Sequence, residues 1–142
     1  MRAVVDTNLI VSGLLWGGPP SKLMEAVSEG RLELLLSPDL YLELEDVLGR
    51  PKLAGRIAAR GSTPTTLLST VSAVAEMIFP EPLPLPPDLR DRDDLPVLEC
   101  AVTAAADAII TGDDDLLVMG SFADVPIINA RAALARLDIA AS

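Results

Sequence analysis

The stretch Arg2-Ala3-Val4-Val5-Asp6-Thr7-Asn8 decides the fold. Three apolar residues run straight into a carboxylate. Leu9, Ile10, Val11 and Leu14 then resume apolar character at helical spacing. A short apolar run without alternation reads as a strand buried on both faces of a parallel sheet. Its terminal acid would stand at the carboxyl edge of that sheet, where open α/β sheets bind ligands. Asp6 is therefore expected to anchor a cluster of carboxylates drawn from four parts of the chain.

The rest of the chain repeats the pattern. Further strands are expected at Glu33–Ser37, Met77–Phe79, Ala108–Thr111 and Val125–Ile128. Helices are expected from Asn8 to about Leu15, Lys22 to Ser28, and Ser37-Pro38-Asp39 to about Leu48. Others follow over Lys52 to Arg60, from Gly61-Ser62-Thr63-Pro64 through Ala75, over Asp94 to Ala106, over Asp113 to Met119, and from Asn129 through Leu137. Ser before Pro, with an acid in the first turn, is a helix-start signal. Strands alternating with helices predict α/β architecture, a mostly parallel sheet of about five strands covered on both faces. Residues 80–87, Pro-Glu-Pro-Leu-Pro-Leu-Pro-Pro, read as an extended rigid connection.

Composition narrows the chemistry. The chain has 142 residues, half of them hydrophobic, and is expected to form a single domain over 1–142. No apolar stretch approaches the ~20 residues that span a bilayer. With one cysteine there is no internal disulfide, and a reducing cytoplasm is the expected location. There is no histidine, which removes Ser-His-Asp and Cys-His catalysis and any imidazole-bound zinc. The net charge of −10 is the wrong sign for gripping nucleic acid by bulk electrostatics. Contacts to phosphates would have to be few and local. Lys22, Arg50, Lys52, Arg90 and Arg92 lie nearest the site in the chain.

Asp6, Asp94 and Asp113 each follow a strand or open a helix. Taken singly, each could simply be a helix cap. Asp94, however, heads the apolar stripe Val97, Leu98, Ala101 and Ala105, so its carboxylate should point inward. Asp93 lies ~100° round the helix and is the weaker candidate. Glu43 and Glu45 border the stripe of Leu40, Leu44, Val47 and Leu48 on opposite sides, and periodicity does not choose between them. After the fourth strand, Gly112 permits a tight turn that lets Thr111 and Asp113 face the edge. Asp115 can reach the same place, and Asp114 faces water. Like charges gathered at one edge call for a cation. Oxygen-only donors suit Mg²⁺ or Mn²⁺, ions that activate water and stabilise a departing oxygen in phosphodiester hydrolysis.

Four ordered blocks now stand out: Asp6-Thr7-Asn8-Leu9-Ile10-Val11-Ser12; Ser37-Pro38 through Glu43 to Val47-Leu48-Gly49-Arg50-Pro51-Lys52; Asp93-Asp94 with Val97-Leu98-Glu99-Cys100-Ala101; and Ile110-Thr111-Gly112-Asp113-Asp114-Asp115-Leu116-Leu117. In these the chain resembles the PIN-domain family, specifically the VapC-like toxin components of bacterial toxin–antitoxin pairs. The resemblance implies a three-layer α/β/α fold. It implies Asp6, Glu43, Asp94 and Asp113 as the catalytic, metal-holding acids, with Asp115 as a fifth. It prefers Glu43 over Glu45, and makes Asn8 and Thr111 the groups that orient the carboxylates. It further implies a Mg²⁺- or Mn²⁺-dependent ribonuclease acting on RNA, a homodimer, and an antitoxin protein as partner. A non-catalytic protein-interaction module that keeps the fold is the alternative. A haloacid-dehalogenase-type phosphotransferase would want a second Asp two residues after Asp6, and position 8 is Asn.

Overall fold

A computed structural model describes residues 1–141, with the side chains of residues 1–138. The elements in order are β1 (Arg2–Val5), α1 (Thr7–Leu15), α2 (Pro19–Ser28), β2 (Glu33–Leu36), α3 (Pro38–Leu48), α4 (Pro51–Ala59), α5 (Pro64–Val74) and β3 (Glu76–Met77). They continue with α6 (Leu95–Thr103), preceded by a 3₁₀ turn at Arg92–Asp94, then β4 (Ala108–Ile110), α7 (Asp114–Leu117), β5 (Ser121–Phe122), β6 (Val125–Ile128) and α8 (Ala130–Ala141). Six strands form one sheet in the order β3-β2-β1-β4-β6-β5. All neighbours are parallel except the β5–β6 pair.

The central strands are buried on both faces, which is why their sequences do not alternate. On β1, Ala3 and Val5 join one core with Ile10, Val11 and Leu15 of α1, and Val4 joins the other with Leu98 and Ala101 of α6. On β4, Ala108 and Ile110 face the first core and Ile109 the second. Helices α1, α2 and α8 cover one side and α6 the other, the expected three layers. No helix among the described residues is long and apolar enough to cross a membrane.

Several boundaries differ from the sequence reading. A sixth strand, β5, pairs antiparallel with β6 through a turn at Ala123 and Asp124, whose φ values are 49° and 67°. Two left-handed residues make a hairpin turn whose usual signal is Asn-Gly or Asp-Gly, and neither dipeptide is present. β3 lies at Glu76–Met77, ahead of the expected Met77–Phe79, because Ile78 makes the last ladder bond, to Leu36 O at 2.7 Å, before the prolines begin. α6 stops at Thr103, short of Ala106. Ala105 turns left-handed at φ 49°, and the Ala106 N–H closes back on Ala101 O at 2.9 Å. α2 begins at Pro19, earlier than Lys22, and α8 continues past Leu137.

The proline-rich segment is strapped to α6. The Glu81 N–H donates to Thr103 Oγ1 at 2.9 Å and the Leu83 N–H to Glu99 Oε2 at 2.8 Å. Pro86 is buried, and Leu89 packs on the second core. The strap runs from the end of α6 to its start and delivers Arg90 through Asp94 to the carboxyl edge of the sheet.

Candidate functional site

The site forms where the sheet changes direction. From β1 the chain passes to α1 on one face, and from β4 to α7, whose Leu116 packs on the other. β1 and β4 are neighbours, so their carboxyl ends open a crevice between diverging connections, the usual ligand position of such sheets. The Asp6 N–H donates to Ile110 O at 2.9 Å, which ties the two strand ends together.

Thr111 is the hinge of the arrangement. It is fully buried, and its hydroxyl donates to Asp6 Oδ2 at 2.8 Å while accepting from the Asp113 N–H at 3.0 Å. Asp113 Oδ1 in turn accepts from the Asp115 N–H at 2.9 Å and caps α7. Asp6, Asn8, Leu9, Ser12, Gly112 and Asp113 line a cleft of about 450 Å³. The Asn8 N–H donates to Asp6 Oδ1 at 3.4 Å.

Asp94 behaves unlike a cap. Its side chain makes no capping bond, and the 3₁₀ turn before α6 is capped by Asp91, which accepts from the Asp93 N–H at 3.0 Å. Asp94 Oδ2 is buried with no hydrogen-bond partner. Burial first, then the charges of Asp113 and Asp91, contact with the Asp113 carboxylate, and Asp6 push its pKa up to about 7. Glu43 comes in from α3. Burial raises its pKa, as do Asp6 and Asp93, while the Thr7 hydroxyl and Arg50 lower it. Glu45 instead lines a separate depression with Tyr41, Gly49, Pro64 and Leu68.

The charge of Asp6 thus acts on both Glu43 and Asp94, that of Asp113 acts on Asp94, and Thr111 joins Asp6 to Asp113. Asp115 stands at the margin, its half-exposed carboxylate 3.6 Å from the Arg90 guanidinium. Among the described residues, no three His, Cys, Asp or Glu side chains stand close enough together to hold a metal ion as they are. The donor chemistry nevertheless suits a hard cation: oxygen donors alone, mutual repulsion and one orphaned buried oxygen.

Sequence reasoning missed two participants. Thr7 is buried, and it lowers the pKa of Glu43 against the effect of burial. Its signal was a place in the first turn of α1 directly after the strand-ending Asp6. Asp91 caps the turn that carries Asp94, and its charge raises the Asp94 pKa. Of the basic residues, Arg50 pairs with Asp46 at 3.2 Å and Arg90 with Asp115. Trp16 is half-exposed, with the Arg56 guanidinium 5.5 Å from its ring centre. Cys100 is buried in the core, which pushes its thiol up to about 12.

The family model for the PIN domain matches residues 2–115, from the first residue of β1 to the last of the five acids. The chain belongs to the PIN-domain family. The crystal structure of PAE2754 from Pyrobaculum aerophilum is similar in fold to this PIN domain. The TM-score is 0.57, at 16% identity, over 97% of this chain and 89% of that one. No curated protein gives a significant sequence match.

Proposed function

We propose that this PIN domain is a divalent-metal-dependent endoribonuclease that hydrolyses RNA phosphodiester bonds, the toxin of a toxin–antitoxin pair acting in the cytoplasm. Asp94 carries the reading. Its buried, unpartnered oxygen and raised pKa are those of a carboxylate among like charges, an arrangement that a bound cation would relieve. Asp6, Glu43, Asp94 and Asp113 would hold Mg²⁺ or Mn²⁺, with Asp115 at the margin. When bound, such an ion supplies Lewis acidity and a more acidic water.

The chain's own residues position and exchange protons. Thr111 fixes the Asp6 carboxylate and the backbone of Asp113 through one hydroxyl. Thr7 favours the ionised form of Glu43, and an ionised carboxylate there would accept a proton from an attacking water. Asn8 lines the cleft where a scissile phosphate would lie. Arg90, now on Asp115, can turn to a flanking phosphate.

A second reading, a non-catalytic interaction module, draws support from an apolar depression lined by Pro38, Tyr41, Leu42, Met77 and Phe79. Phe79 is 74% exposed and Leu42 57%. The same surface suits the antitoxin or homodimer contact of the first reading. The deciding assay is cleavage of labelled single-stranded RNA with Mn²⁺, Mg²⁺ or EDTA, run beside Asp6→Asn/Asp94→Asn. The nuclease requires metal-dependent cleavage that the double variant lacks. Absence of both cleavage and Mn²⁺ binding would leave the interaction module.

A further inference from the structure

A second cleft, of about 310 Å³, adjoins the acid cleft and shares Leu9 and Gly112 with it. Its apolar lining includes Leu9, Pro19 and Pro20. Its polar lining includes Arg131 in the first turn of α8 and Asn129, which caps that helix by accepting from the Ala132 N–H. Gly112 lies between the two clefts. Only Leu9 Cδ2, at 3.8 Å, would approach a Cβ built there, so the floor is open for a ligand backbone to cross.

Among the described residues Arg131, like Lys22, Lys52, Arg92 and Arg136, has no paired acid, and it is the one of these that lines the second cleft. Arg2, Arg31, Arg50 and Arg90 each pair with an acid, and Arg56 and Arg60 donate to carbonyls of α1. That cleft leads to the acids. On a chain of net charge −10, an unneutralised guanidinium beside such a cleft is the feature that complements an anionic strand.

We propose that the second cleft is the track of the RNA strand leaving the acid site, with Arg131 binding a backbone phosphate beyond the scissile one and Leu9, Pro19 and Pro20 packing against sugar and base. This rests on the nuclease reading and deepens it. Arg131 is a substrate-positioning residue, and no bond is made or broken at it.

The test is binding of a fluorescent ten-nucleotide single-stranded RNA, by anisotropy, with Ca²⁺ replacing Mg²⁺ to limit turnover, across a range of salt concentrations. Arg131→Gln weakens binding roughly five- to tenfold at 0.1 M salt and lowers the salt slope by about one, as the loss of one phosphate contact requires. Arg131→Lys restores most of the salt slope. Arg136→Gln, an exposed cation on the same helix, binds as the native chain does. Native-like binding by Arg131→Gln, or no binding by the native chain, overturns the proposal. Hydrolysis of bis(p-nitrophenyl) phosphate by the native chain with Mn²⁺ separates the two readings. Arg131-dependent strand binding without hydrolysis keeps the track and removes the nuclease. Hydrolysis with Arg131-independent binding keeps the nuclease and removes the track.

Discussion

Replacing Asp94 by Asn, with divalent ions removed by EDTA, stabilises the fold at pH 8 and leaves it unchanged below pH 4. Burial and the neighbouring acids raise the Asp94 pKa from its ordinary 3.8 to about 7. The folded chain therefore holds a proton that the unfolded chain releases between those two values. For an acid shifted upward, the stability is fully present below the unfolded value and is lost as pH rises through the folded one. At 1.36 kcal/mol per tenfold, the gap sets an upper bound of ~4 kcal/mol. The side chain is only partly buried, and solvent screening reduces the effect to ~1–2 kcal/mol. Asn cannot ionise, and its amide can donate toward Asp113. Thermal unfolding in EDTA at pH 4, 6 and 8 should show the variant ahead by ~3–6 °C at pH 8, with the advantage shrinking toward zero at pH 4. Saturating Mn²⁺ should reverse the order, since it stabilises only a protein that binds it, by ~2.7 kcal/mol at a hundred times Kd. A variant less stable than native at pH 8, or a difference that ignores pH, would refute the electrostatic account of this site.

Three further substitutions test other parts of the structure. Thr111→Val keeps the shape but leaves Asp6 Oδ2 and the Asp113 N–H without their partner; it should cost ~1–3 kcal/mol in urea unfolding and reduce any metal-dependent cleavage. Gly13→Ala places a Cβ 2.5 Å from Pro20 O and 2.6 Å from Met24 Cγ, so α1 and α2 must separate. It should lose ~1–3 kcal/mol despite alanine's better helix propensity, and a neutral or stabilising result would contradict the close approach. Ala105→Gly relieves a left-handed alanine at φ 49°. After glycine's added chain entropy, a net gain of ~0.5–1 kcal/mol is expected, read as a raised Tm.

The layered α/β fold was legible because its signals are local. Val4 and Val5, Leu34 to Leu36, and Ala108 to Ile110 are apolar without alternation, and Ser37-Pro38 marks a helix start. The inward direction of Asp94 was also legible, since the stripe of Val97, Leu98 and Ala101 orients the whole helix. Less visible was whatever depended on a conformation the residue type does not advertise. Ala105, Ala123 and Asp124 take left-handed backbone without glycine, so the early end of α6 and the β5–β6 hairpin left no trace in composition. The prolines of residues 80–87 promised an extended path and said nothing of its direction. Bonds to Thr103 and Glu99 set that direction.

By itself, the sequence determined that the chemistry must rest on oxygen and nitrogen donors without imidazole, and which acids end strands or open helices. Those are properties of residue type and spacing. Tertiary structure decided which acids share one electrostatic environment. The charges of Asp6 and Asp93 act on Glu43 while Glu45 lines another depression, Thr7 acts on Glu43, and Arg131 lines the adjoining cleft although it lies 125 residues from Asp6 in the chain. The physical reason is that charges and hydrogen bonds act through space over a few ångströms. Parallel strands bring together chain segments that no local pattern connects.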